Sequence, residues 1–201
     1  GTGGPPGICV VAPDAPGLLA AISAALMLED LDVTRADAYT RRTPSGQYEA
    51  VDLFWVRRAF VESAAPLSEA DVPAIASTLT ELLSHPGAPS VPARATLAIT
   101  PGTAETSVRF TENLDSSWLT LELESNDRTG LLLAVTAALF AEGIQIVGSR
   151  IRTHGLRVHD RFDLVDADGS AITGTRRQRI ELAVLVAVDG PFHGPAGSGR
   201  P

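Results

Sequence analysis

Two short segments of the chain carry the same residue types at the same spacing. Pro13-Asp14-Ala15-Pro16-Gly17-Leu18-Leu19 and Asn126-Asp127-Arg128-Thr129-Gly130-Leu131-Leu132 both contain Asp-x-x-Gly-Leu-Leu, each between a strand-like and a helix-like apolar run. A helix start presents backbone N–H groups without intrahelical partners and a partial positive charge. Such donors suit a carboxylate. An aspartate beside them suits an ammonium or an amide, and a glycine lets a ligand approach the backbone. The set is complementary to an amino acid zwitterion. A millimolar constant is worth roughly 4 kcal/mol, within reach of a few hydrogen bonds and one charge pair. The candidate ligand-binding residues are Asp14, Gly17 and Leu18 at the first junction and Asn126, Asp127, Arg128, Gly130 and Leu131 at the second, with Asp37 or Arg150 of a following strand in reach. Arg128, where the first junction has Ala15, makes the second the stronger candidate. The same residues also have a structural explanation, with the aspartate capping the helix and the glycine permitting close helix-to-sheet packing.

The flanking periodicities supply the elements. Residues 8–12 form a short apolar strand, and Leu19, Ile22 and Leu26 place a helix over 16–30 with Pro16 in its first turn. Alternating segments at 31–42 and 48–58 flank the turn residues Pro44-Ser45-Gly46. Val72, Ile75, Leu79 and Leu82 form a helical stripe, with Ser68 as its N-cap and Asp71 three residues on. Residues 86–92 read as a linker, and 93–99 and 106–113 as two further strands. The order then restarts: a strand at 118–125, a helix at 129–142 ended by Gly143, strands at 144–153 and 157–166, and a helix at 175–188 whose β-branched composition also admits a strand.

The restart is a repeat. At an offset of 113 residues (Asp14 to Asp127), Gly17, Leu18, Leu19, Ala21, Leu26 and Glu29 meet Gly130, Leu131, Leu132, Ala134, Leu139 and Glu142. Val33 meets Ile146 and Thr40 meets Thr153. The last strands realign at Asp52-Leu53-Phe54 and Asp160-Arg161-Phe162, the first hairpin being five residues longer. Duplication of a βαββα unit accounts for this. The expected organisation is a linker at 1–7, a first unit at 8–92, a second at 93–189 with the extra strand 106–113 ahead of it, and a disordered Gly/Pro-rich tail at 190–201.

Composition narrows the function. The 201 residues are 44% hydrophobic and 20% charged, an ordinary globular balance, and the net charge of -8 argues against nucleic acid and anionic lipid as partners. No apolar run is long enough to span a bilayer. The single cysteine, Cys9, is expected to be a buried core thiol, which fits a reducing cytoplasm. Trp55 and Trp118 are expected in core or interface packing. Arg150, Arg152, Arg176, Arg177 and Arg179 read as solvated faces. There is no Cys/His pair, metal-ligand spacing or phosphate loop, and His159-Asp160 sits in an alternating strand, so no catalytic site, metal or cofactor is implied.

At "DAPGLLAAISAAL" and "DRTGLLLAVTAAL" the chain resembles the ACT domain family, whose pattern is βαββαβ with Asp-Arg-Pro-Gly-Leu-Leu opening its first helix. The resemblance implies an α+β fold of two ferredoxin-like units, each a four-stranded antiparallel sheet with helices on one face. The second copy, through "IQIVGSRIRTHGLRVHDRFDLVDADG", is similar to the carboxy-terminal ACT repeat of the bifunctional uridylyltransferase/uridylyl-removing enzymes, which modify the PII nitrogen-signalling protein. That implies a regulatory module sensing a small amino acid, glutamine above all, with ACT–ACT pairing or a homodimer and PII as a partner of the parent enzyme. The departures are Ala15 for Arg, Thr129 for Pro, and the absence of the enzymes' catalytic motifs.

Overall fold

The computed structural model describes residues 7–59, 67–84, 106–112 and 118–189. The elements are β1 (Gly7–Pro13), α1 (Leu18–Leu28), β2 (Leu31–Arg42), β3 (Tyr48–Arg58), a 3-10 turn (Glu69–Asp71) leading into α2 (Val72–Leu83), β4 (Ser107–Glu112), β5 (Leu119–Asn126), α3 (Leu131–Ala141), β6 (Ile144–His154), β7 (Arg157–Asp166) and α4 (Gly174–Asp189). The expected strand at 93–99, the linker at 86–92 and the tail at 190–201 lie outside the described residues. Residues 175–188 are helical. The strand expected at 106–113 is β4, and it hydrogen-bonds along β5.

The strands form one antiparallel sheet in the order β1-β3-β2-β6-β7-β5-β4. This differs from the expectation of two separate four-stranded sheets. β2 and β6 would each end a half-sheet and expose a row of unpaired N–H and C=O groups. They pair with each other instead, over Arg35↔Arg152, Asp37↔Arg150 and Tyr39↔Gly148. Asp37 and Arg150 are repeat equivalents at the 113-residue offset, so the halves meet across an approximate twofold axis at that pair. The duplication extends to irregularities: β2 shifts register between Val33 and Arg35, and β6 between Ile146 and Gly148.

Strand periodicity of two builds the core. Ala50, Asp52, Phe54 and Val56 of β3 and Val158, Asp160, Phe162 and Leu164 of β7 are all buried. Against them pack Leu19, Ile22 and Leu26 of α1, Leu132, Val135 and Leu139 of α3, and Ile180 and Val184 of α4. α1 contacts α2 on one side and α3 on the other, and α3 contacts α4. Small residues, Ala24 of α1 and Ala134 of α3, pack in the same cluster as Met27 and Leu133. Ten of the eleven α1 residues are buried, which explains why its sequence has no charged face. At α2, Ser68 and Asp71 form a capping box.

Two expectations fail on the open face of the sheet. Cys9 is exposed, because β1 turns Ile8, Val10 and Ala12 toward the core and so turns Cys9 and Val11 away. For the tryptophans, of the two alternatives core or interface packing, the core alternative is the one that fails: Trp118 is 38% exposed, and Trp55 lies under the Arg35 guanidinium. Among the described residues, no helix is long and apolar enough to cross a membrane.

Leu19 and Leu132 are both 6% exposed in equivalent positions. Leu19→Ala and Leu132→Ala should each cost roughly 2–5 kcal/mol by chemical denaturation. Losses below about 1 kcal/mol at both would mean that these helix faces do not carry the core.

Candidate functional site

Each repeated junction is a tight turn between a strand and a helix. Leu18 N–H donates to Ala15 O at 3.1 Å, and Leu131 N–H donates to Arg128 O at 3.2 Å. Gly17 has φ 81 and ψ 0, and Gly130 has φ 79 and ψ 10. These are the angles of the third residue of a type II turn, which requires a positive φ. The recurrent glycine is therefore fixed by backbone conformation first. Pro16 occupies the second turn position, not the first helical turn, and the helices begin at Leu18 and Leu131. Asp14 and Asp127 do not cap them: the N-cap residues are the glycines, and no side-chain cap bond is made.

The aspartates turn back toward the strands. At the first junction, Asp14 Oδ2 accepts from Thr40 Oγ1 at 3.1 Å and from Gln145 Nε2 at 3.4 Å. Beneath it lies Asp52, 3% exposed. Burial, and then the neighbouring Asp14 charge, push the Asp52 carboxyl up to about 7, against a hydrogen bond from the Tyr39 backbone. A cleft opens here at the seam between the halves. Asp14, Gly17, Thr40 and Asp52 line it from one side, and Phe140, Ile146 and Gly148 from the other. The first-turn residues Leu18, Leu19 and Ala20 of α1 also face it. It encloses about 30 Å3, little more than one water molecule requires.

The second junction has the same plan with different occupants. Asp160 takes the place of Asp52 and is also 3% exposed. Burial pushes its carboxyl up to about 7, opposed by a backbone hydrogen bond from Arg152 and reinforced by Asp127. Asp127 Oδ2 accepts from Arg57 at 2.8 Å, and the same guanidinium reaches Asp32 at 2.7 Å. Asp32 Oδ1 in turn accepts Gly130 N–H at 3.3 Å. Burial outweighs these partners and holds the Asp32 carboxyl above its ordinary value. Asp32 and Gln145 are repeat equivalents, so each half reaches into the other's junction with a side chain from the start of its second strand. With Asp127 engaged by Arg57, Thr153 Oγ1 and Asp160 Oδ2 are buried without a hydrogen-bond partner.

The remaining sequence candidates are dispersed. Leu18 and Leu131 are buried helix starts. Asn126 ends β5, and its Oδ1 accepts from Arg157 at 3.2 Å. Arg128 runs away from the turn and donates to Ala187 O of α4 at 3.3 Å. Asp37 does not reach a junction: it lies on the face of β2 opposite Ala36 and Ala38, where Arg152 holds it at 2.6 Å. Its cross-strand partner Arg150 is there too. His159 and Asp160 point to opposite faces of β7, one exposed and one buried. Sequence reasoning did not single out Thr40, Asp52, Asp32, Arg57 and Gln145. A signal existed for the first two, since the repeat aligns Thr40 with Thr153 and Asp52 with Asp160, an aspartate on the apolar face of each strand.

Together these features define an α+β protein with an internal duplication and a polar cleft where its halves meet. No family model matches the chain. Over 191 residues it is 30% identical to a bifunctional uridylyltransferase/uridylyl-removing enzyme of Phenylobacterium zucineum (strain HLK1), an alignment covering 90% of this chain and 19% of that enzyme. The similarity supports a relation to that enzyme, of whose length the chain spans about a fifth.

The buried acids make stability depend on pH. A carboxyl raised in the folded state stabilises fully below its unfolded value, and that contribution is lost as pH rises through the folded one. For Asp52 and Asp160 the window runs from 3.8 to about 7. Asp52→Asn and Asp160→Asn should each flatten the decline of unfolding free energy across that window by on the order of 4 kcal/mol. Urea unfolding at both ends of the window checks this. An unchanged slope in both variants would exclude these acids as its source.

Proposed function

We propose that the chain is a regulatory amino-acid-binding module, a pair of ACT units within a uridylyltransferase/uridylyl-removing enzyme, and that it binds glutamine at the first junction. The observation that carries this reading is the cleft walled by both halves, with Asp14, Thr40 and Asp52 facing the first turn of α1. The N–H groups of that turn suit the α-carboxylate, and the two acids suit the α-ammonium or the side-chain amide. The similarity to a bifunctional uridylyltransferase/uridylyl-removing enzyme supports the setting. Nucleotidyl transfer and any contact with PII would then belong to the rest of such an enzyme.

The first junction is favoured over the second because the second already uses its groups internally. Asp32 holds Gly130 N–H, Arg57 holds Asp127, and Arg128 points to α4. The narrowness of the first cleft gives binding a regulatory consequence. A glutamine is larger than this space, so its entry spreads the seam between β1–α1 and β6. A ligand that binds the spread arrangement better shifts the population toward it, and anything attached to either half senses the change.

Calorimetry and melting shifts with glutamine, with glutamate and alanine as controls, test the reading. Asp14→Asn should weaken glutamine binding by about 1–3 kcal/mol, the usual worth of a hydrogen bond to a charged group. Asp127→Asn should leave the affinity nearly unchanged. If no amino acid gives heat or a melting shift at several millimolar that Asp14→Asn reduces, the module is a structural pairing unit and the sensor reading is lost.

A further inference from the structure

The open face of the sheet carries a second polar feature, which shares Thr40 and Gly148 with the first-junction cleft but has charged groups of its own, Arg150, Arg161 and Asp163. Arg150 of β6 and Arg161 of β7 stand directly opposite each other. Like charges at such a position destabilise a sheet unless something offsets them. The carboxylate on the other side of Arg150 is Asp37, 3.9 Å from its Nε, and that carboxylate is already bonded by Arg152 at 2.6 Å and Arg35 at 3.1 Å. The Arg150 side chain is 63% exposed. A chain of net charge -8 thus gathers four arginines on one patch where its halves meet.

Beside the arginine pair lies a hollow of about 310 Å3, lined by Tyr39, Gly148, Arg150, Arg161 and Asp163. The duplication explains its origin. Gly148 is the equivalent of Arg35, and Asp163 that of Trp55. In the first half the Arg35 guanidinium lies 4.2 Å over the Trp55 ring and bonds Asp37. In the second half glycine leaves that volume open, and the charges are inverted, with Arg150 in the place of Asp37. Tyr39 and Asp163 flank Gly148 on the neighbouring strands. A Cβ on Gly148 would lie 3.4 Å from Asp163 Oδ2. Asp163 Oδ1 is occupied by Thr120 at 2.7 Å and by Arg161 at 3.4 Å.

We propose that this hollow is a binding site for a small oxyanion-bearing metabolite, its carboxylate or phosphate bridging Arg150 and Arg161 above Gly148. A hydrogen-bond donor on the same molecule meets Asp163 Oδ2, and Tyr39 forms a flat wall. Arginine suits either oxyanion, because its planar fork bonds two oxygens at once.

Calorimetric and NMR titrations of the whole chain with inorganic phosphate and with glutamate test the site. Binding of one probe at millimolar concentration or below is expected, with shifts at the Arg150 and Arg161 amides. Phosphate alone binding there assigns a phosphoryl ligand, and glutamate alone a carboxylate. Arg150→Gln and Arg161→Gln should each weaken binding at least tenfold without lowering the melting temperature. Gly148→Arg, which places the first half's residue in the hollow, should abolish it. Asp14→Asn should leave these shifts intact, which separates this site from the junction. Binding equally strong in both glutamine variants, or absent for both probes in the wild type, overturns the proposal.

Discussion

The antiparallel pairing of β2 with β6 is the contact on which the other features depend. It joins two edge strands that would otherwise be unpaired, and it brings α1 against α3 on the covered face. At its centre Asp37 meets Arg150, the same position in the two copies. In a fully symmetric duplication that position would pair a residue with its own kind, and either copy paired with itself would place like charges about 5 Å apart. The unlike pair favours one half joining the other over either joining a copy of itself. The first-junction cleft and the open-face hollow both border this seam, so neither would exist in an isolated half.

The two copies kept their scaffold and diverged at its polar positions. Both retain the type II turn with its left-handed glycine, the inward aspartate and the strand irregularity, because each is set by backbone geometry or by the sheet. Side chains near the seam changed. Asp32 holds the second turn where Gln145 touches the first. Arg57 clamps the second junction, and its repeat equivalent is Val165. Arg35 fills one side of the open face where Gly148 leaves the other bare. Such replacements alter little of the fold, since the apolar positions are untouched, yet they give each site a different charge.

Asp52 and Asp160 are the least expected residues of the core. A buried carboxyl loses hydration and recovers only part of it from one backbone donor, so it becomes easier to protonate. A valine at either position would pack without that cost. That both copies carry the acid under the junction aspartate links the burden to the junction rather than to the core. Conflict between local stability and site chemistry is the expected mark of a functional position.

Much of this was legible along the chain. Alternation in 48–58 and 157–166 gave β3 and β7, the apolar spacing after each glycine gave α1 and α3, and Ser68 with Asp71 marked the entry to α2, because such signals are written in contiguous residues. The repeat itself required only comparison of the chain with itself. Three things were decided by the tertiary structure alone. The second partner of β2, β6, lies more than a hundred residues away, and an edge strand's sequence does not name what covers it. The face taken by Cys9 depends on which side of β1 the helices occupy, since a strand of apolar residues reads the same either way. Arg128 and Arg57 exchanged their expected importance because a long side chain is directed by whatever carbonyl or carboxylate packing brings within reach. Local order is a property of neighbouring residues, whereas the site is built from groups that only the closed sheet brings together.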